Sequence, residues 1–212
     1  GNNTYSGGTT VASGTLQVNG VSPTGSGDVT INSGGMLMGT GTISGNLTVS
    51  GILKPGNSPG YLAVGTNVSM ASGSLYVQDI AGLVQASSTS PSGATGYYSY
   101  LNSTAGQFVI NPNVLLAPRL ANLFSVGESG YGSSIFVPEL GNRFRMVTAS
   151  GGVTGRFAAV VQPAQLGSGT QFIAFYNVNN SNSIDLATVP ISYANALDAE
   201  KDNAKSVARV LD

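Results

Sequence analysis

Apolar and polar residues alternate along most of this chain, in short runs with no helical period. Four segments repeat one figure: "TTVASGTL" (9 to 16), "DVTINSGGML" (28 to 37), "NLTVSGIL" (46 to 53) and "NVSMASGSL" (67 to 75). In each, apolar residues alternate with Ser, Thr or Asn, a Gly-containing corner follows, and a second apolar run begins. The last three start at Asp28, Asn46 and Asn67, 18 and 21 residues apart, and the leucines after the four corners are Leu16, Leu37, Leu53 and Leu75. Period-two alternation over four or five residues predicts a strand with one buried face. Strands this short are not stable as isolated hairpins. Gly and Asn between them supply left-handed or tight corners. A unit of about 20 residues with no helix in it, stacked on its neighbours, is the sequence sign of a β-solenoid. The pattern predicts an all-β chain with roughly three short strands per rung. Inward Val, Leu, Ile and Met would stack into one core, and outward Ser, Thr and Asn would pair along the stack. A β-sandwich with short strands is the alternative, but sandwiches seldom repeat a sequence unit at this spacing.

The rhythm breaks at residues 83–112, where Ser, Thr, Gly and Pro dominate up to Gly96 and "YYSY" follows. This stretch reads as a surface excursion packed down by Tyr97, Tyr98 and Tyr100. The functional alternative is a binding loop, because exposed tyrosines serve interfaces and sugars. Residues 113–190 return to strands: "VLLAPRL", "SIFVPEL", "FRMVTA", "RFAAVV", "FIAFYNV" and "SIDLATV". Phe144, Phe157, Phe172, Phe175 and Tyr176 are expected to make a denser core there, suited to capping a solenoid end. Arg143, Arg145 and Arg156 fall in the same region. They invite an anion-site reading, for phosphate or an acidic sugar. The plainer reading pairs them with Glu139, Glu128 or Asp185, or stacks them on aromatic rings. Residues 191–212 change character. Leu197, Ala204, Ala208 and Leu211 share one helical face, and the opposite charges Asp198–Lys201 and Asp202–Lys205 support an amphipathic helix.

Composition narrows the chemistry. Charged residues are 8% of the 212, against roughly 25% in ordinary soluble domains. The apolar share is 41%, so the chain can form a core, and its surface is built from Ser, Thr, Asn and Gly. A net charge of −1 offers no handle for nucleic acid. No apolar run is long enough for a membrane-spanning helix. The chain starts at Gly1 in mid-pattern, which suggests a piece of a longer protein.

"LKPGNSPGYL" (53 to 62) contains Gly56-Asn57-Ser58-Pro59-Gly60, the G-x-S-x-G spelling of a serine nucleophile elbow. That chemistry needs a base, usually His. The chain has no His and no Cys, and its three lysines are Lys54, Lys201 and Lys205. An elbow also needs a helix after the serine, whereas "YLAV" reads as a strand. Gly56, Asn57, Pro59 and Gly60 are therefore read as a structural corner, with Gly151 and Gly152 as another. Without His or Cys the ordinary zinc sites are excluded, and the carboxylates are too scattered for a calcium loop. No catalytic residue, cofactor or metal is expected.

The segment "GTGTISGNLTVSGILKPGNSPGYLAVGTNVSMASGSLYVQDIAG" (39 to 82) resembles the passenger-associated transport repeat of bacterial autotransporters, the type V secreted proteins. "PELGNRFRMVTASGGVTGRFAAV" (138 to 160) resembles the block late in such passengers, ahead of the membrane anchor. "DNAKSVARVLD" (202 to 212) is similar to the helix that leads into their barrel. The resemblance implies a right-handed parallel β-helix, delivered to the cell surface or released, by way of the periplasm and a C-terminal outer-membrane barrel of the same chain. It implies a C-terminal block that folds first and acts as an intramolecular chaperone. On this reading residues 1–82 are rungs, 83–112 an excursion, 113–190 a cap and 191–212 a linker helix toward the barrel. An adhesin-type role, holding a host protein or glycan on the solenoid face and the Tyr-rich loop, is the alternative function.

Overall fold

The computed structural model describes residues 2–21, 23–120 and 136–192. They form an all-β protein, and the described helical content is a single 3-10 turn at Val178–Asn180. The strands belong to two curled sheets, one of twelve strands and one of six.

Most pairing is parallel and falls into three rows. In the first row, Thr9, Val29, Leu47, Val68, Phe108 and Val153 stand in register. In the second, Leu16, Leu37, Leu53, Tyr76 and Leu116 are aligned, followed by Val160. The third aligns Ile43, Val64, Ser103 and Ala149. The chain visits the rows in the order one, two, three, then begins again one strand spacing further along. Thr9–Gln17 and Val29–Gly39 each run through two rows, bending at exposed residues around Ser13 and Ser33.

Period-two patterning explains which side faces in. Ile31, Val49, Met70 and Ile110 follow one another down the first row and are buried, while Thr30, Thr48 and Ser69 between the inward positions face outward. Each fully buried Leu or Ile is worth about 1.5–3 kcal/mol. The outward polar residues form a ladder at the start of the row. Asp28 Oδ1 accepts from the Asn46 backbone N–H at 2.8 Å and from Asn46 Nδ2 at 3.0 Å. Asn46 Oδ1 accepts from Asn67 Nδ2 at 3.1 Å, and Asn67 Oδ1 accepts from the Gln107 N–H at 2.9 Å. Such exposed bonds contribute about 1 kcal/mol or less each, so the apolar interior carries more of the stability.

In the third row, parallel stacking ends at Arg143–Ala149. Its far side pairs antiparallel with Ser183–Pro190, which pairs antiparallel with Thr170–Tyr176. Phe144 and Phe172 meet edge to face at 6.2 Å in the core under these strands, and Phe144 meets Tyr98 at 5.2 Å.

Four details differ from the sequence reading. The inward residue after the fourth corner is Tyr76, and Leu75 is half-buried beside Ile52. The corner Ala71–Ser74 is longer than its predecessor Ser50–Gly51, which moves the inward position by one. Residues 100–112 belong to the rows, because Tyr100–Ser103 and Phe108–Ile110 are row strands. Residues 136–140, the described part of "SIFVPEL", carry no strand. Phe175 is 38% exposed, because alternation along Thr170–Tyr176 turns Phe172 inward and Phe175 out. The expected helix within 191–212 lies outside the described residues.

Candidate functional site

The PGNSPG turn sits between the second-row strand Ile52–Pro55 and the third-row strand Tyr61–Val64. Gly56 has φ +88, and its N–H and C=O exchange hydrogen bonds with Gly39 at 2.9 and 3.0 Å. Ser58 is fully buried with φ +63, and among the described residues its hydroxyl has no hydrogen-bond partner. It has neither a general base nor a following helix, the two parts a nucleophile elbow requires. A Cβ on Gly56 would lie 2.2 Å from Gly60 N, and one on Gly60 would lie 2.7 Å from Thr40 Cγ2.

The excursion after Ile80 roofs this turn. Ser99 Oγ donates to Pro55 O at 2.7 Å and accepts from the Gly60 N–H at 3.3 Å. Asn57 Nδ2 donates to Ser92 Oγ at 2.9 Å, and the Gly93 N–H donates to Pro59 O at 3.0 Å. Gln78, fully buried, donates to Ser99 O at 2.7 Å. The turn and the excursion therefore form one hydrogen-bonded unit.

A charge ladder runs beneath it. Asp79 is fully buried, with Lys54 Nζ 3.9 Å from Oδ2 and Arg119 Nε 2.8 Å from Oδ1. Lys54 is only 3% exposed. Burial lowers the Lys54 ammonium below its ordinary range; Asp79 acts against this, and Arg119 reinforces it. Sequence reasoning missed this cluster. Its signal was a lone Asp inside the strand-like run "LYVQDI", in a chain with very few charges.

The tyrosines do not form an open loop of rings. Tyr98 is 6% exposed against Phe144. Tyr100 is half-buried, tilted against Tyr61 at 5.7 Å, with its hydroxyl on Thr148 Oγ1. Tyr97 is half-buried and pairs with Val84. Burial, first among the causes, raises the phenols of Tyr98 and Tyr100. At the other corner, Gly152 has φ +102, but its Cβ would meet only Asn182 Oδ1, at 3.9 Å. A Cβ on Gly151 would come within 2.9 Å of the Gly106 backbone.

An open cleft of about 420 Å³ lies beside Tyr98. Arg143 and Arg145 are two apart on one strand, so both project from its outer face while Phe144 points inward. Asp185, opposite Arg145 in the antiparallel ladder, accepts from Arg143 Nη2 at 3.0 Å and from Arg145 Nε at 2.9 Å. That hydrogen bond, more than any other influence, raises the Arg145 guanidinium. Asp185 is 3% exposed, whereas the arginine side chains are 53% and 45% exposed. Gln85, Asn179 and Ser181 complete the polar lining. Arg156 stands apart from them, stacked 4.7 Å over the Tyr176 ring.

No family model matches the chain. It is similar to the adhesin BmaC autotransporter of Brucella suis biovar 1 (strain 1330), with 48% identity over 59 residues. The match takes in 27% of this chain and 2% of that protein. The likeness relates part of the chain to an autotransporter adhesin, and the chain spans only a small fraction of that relative's length. Among the described residues, no helix is long and apolar enough to cross a membrane.

Proposed function

We propose that this chain is a right-handed parallel β-helix from the stem of an autotransporter passenger, carried to the surface of a Gram-negative cell and promoting its own folding there. The observation that carries the reading is the recurrence of three parallel rows, entered in the same order on each pass. Parallel crossovers in one sheet are right-handed in nearly all cases. The likeness to an autotransporter adhesin supports the cellular setting.

The work such a stem does is mechanical. A single rung cannot bury its own apolar face, so each needs a folded neighbour as a template. Strand 183–190 pairs antiparallel with the last third-row strand, strand 170–176 pairs antiparallel with 183–190, and the aromatic cluster beneath them supplies a dense local core. Folding that starts there and spreads rung by rung would draw the chain outward and oppose its return through a pore. The partner is a C-terminal outer-membrane barrel of the full protein. No catalysis, cofactor or metal enters this account.

Export measures it. With an autotransporter barrel fused behind it, the intact chain should reach the cell surface in a protease-resistant form. Deleting 138–190 should cut that folded surface fraction at least fivefold, with barrel assembly unchanged. Equal amounts of folded surface chain from both versions would refute the chaperone role.

A second reading has its own support. The relative is named an adhesin, and the Arg143–Arg145 cleft is open and polar. On that reading the stem also binds a ligand at the cell surface.

A further inference from the structure

We propose that the Arg143–Arg145 cleft binds the carboxylate of an acidic sugar residue. The inference deepens the binding-module reading and rests on it. The cleft holds two guanidinium groups and one carboxylate, so it keeps one net positive charge after Asp185 is paired. Each guanidinium has five N–H donors. The bonds to Asp185 engage Nη2 of Arg143 and Nε and Nη2 of Arg145. Among the described residues nothing else engages Nε and Nη1 of Arg143 or Nη1 of Arg145, which are left for a ligand. A guanidinium fork matches a carboxylate in shape as well as in charge.

Asp185 orients the pair. It is buried, fixed in the antiparallel ladder and bonded to both heads. The ladder register shifts between Arg145 and Val147. Irregularities of this kind commonly re-aim side chains next to binding sites. The arginines are thus held in place before any ligand arrives, which reduces the entropy lost on binding.

The rest of the lining selects a sugar over other anions. Asn179 is exposed at the cleft, and among the described residues its amide has no hydrogen-bond partner. Gln85 spends its Nε2 on Arg145 O at 2.8 Å, which leaves Oε1 to accept from a hydroxyl. Ser181 adds a hydroxyl, and Val178 with the edge of Tyr98 provides a small apolar wall. Amide and hydroxyl groups around an apolar wall suit the hydroxyls and C–H face of a pyranose. The volume of about 420 Å³ is within the range of small-molecule sites. The wall loop is held in an unusual backbone: Asn177, Asn179, Asn180 and Asn182 all have φ between +48 and +56. Clusters of sparsely populated backbone conformations gather at ligand sites.

The test is NMR titration of the folded chain with a disaccharide ending in a uronic acid. Its methyl ester and the neutral disaccharide are the controls, and a Glu-rich peptide tests a protein source of carboxylate. The uronic acid should shift the backbone amides of Arg143, Arg145 and Asn179 in a saturable way. The ester and the neutral sugar should bind at least tenfold more weakly. Arg143→Gln should weaken binding at least tenfold, and Asp185 then keeps Arg145, so the fold is preserved. Asn179→Gly keeps the positive φ and removes only the amide, and should weaken binding severalfold. The proposal is overturned if the uronic acid leaves these amides unmoved, if the ester binds equally, if Arg143→Gln has no effect, or if only the peptide binds. A chain that is folded and exported but fails here sinks the sugar site alone and leaves the stem reading standing.

Discussion

Replacing Gly56 by Ala will destabilise the protein by about 3–5 kcal/mol, the combined cost of a side chain at unfavourable φ and of overpacking against backbone. Two effects act together at this position. The backbone sits at φ +88, and the new Cβ would lie 2.2 Å from Gly60 N and 2.4 Å from Gly60 Cα. Those are backbone atoms held by Ser99 and Tyr100, so the turn can yield only by breaking the bonds that bind it to the excursion. Gly152 separates the two effects. Its φ is +102, but among the described residues a Cβ there would make only an ordinary contact, with Asn182 Oδ1 at 3.9 Å. Gly152→Ala should therefore cost only the conformational part, about 2 kcal/mol. Urea unfolding of both variants measures the difference. A loss for Gly56→Ala no larger than for Gly152→Ala would mean that the turn and excursion are not a rigid unit. In a protein of this size the Gly56 variant should also melt roughly 10 °C lower.

Asp79→Asn is the second large effect. It keeps the shape of the side chain and removes the charge facing Lys54 and Arg119. Removing one partner of a buried ion pair costs about 3–5 kcal/mol. The loss should depend on pH, with a definite sign. Burial places the Lys54 ammonium below its ordinary value of 10.5 in the folded chain. Between the folded and unfolded values the unfolded chain binds more protons, so stability rises with pH there. Asp79 opposes the lowering, so removing it moves the folded value further down and starts the rise at lower pH. The deficit of Asp79→Asn should shrink as pH rises toward the ordinary lysine value of 10.5. Above pH 10 the stability of parent and variant alike falls, because burial raises Tyr76, Tyr98, Tyr100 and Tyr176 in the folded state and their contribution fades as pH climbs through those raised values. Lys54→Met combined with Asp79→Leu should recover most of the loss, since Arg119 is partly exposed and can turn to solvent. A pH-independent deficit would show that Lys54 plays no part in it.

The stacked core was largely readable, because alternation identifies an inward residue without knowledge of its neighbours. Ile31, Val49 and Met70 are in register as the repeats suggested. Failure began where spacing was the only guide. The longer fourth corner moved the inward position from Leu75 to Tyr76. The excursion hid the next row strand, Phe108–Ile110, which stands opposite Val68–Met70 across an insertion. Corner chemistry marked Gly56 as special, but the nearness of Gly60 is a matter of backbone path and leaves no trace in residue type. The candidate site was half readable. Arg-Phe-Arg on a strand places two cations on one face, and Asp185 stood among the partners considered. The cleft itself depends on Gln85, Asn179 and Tyr98, brought together from segments far apart in sequence. The buried Lys54–Asp79–Arg119 ladder was not foreseen, because charged residues are rarely fully buried unless paired and pairing is a fact of register.

Parallel stacking is the claim on which the rest depends, and hydrogen-bond scalar couplings measure it directly. Backbone N–H groups donate across rows from Val29 to Asn46, from Leu47 to Asn67 and from Val68 to Gln107, at 2.8 to 2.9 Å. Triple-resonance NMR should show each of these nitrogens coupled to that carbonyl carbon and to no nearer one. A β-sandwich of hairpins would instead couple each amide to a carbonyl on the strand next in sequence, about ten residues away across a short turn. Couplings of that second kind at Val29, Leu47 and Val68 would contradict the stacked rows and the stem built on them.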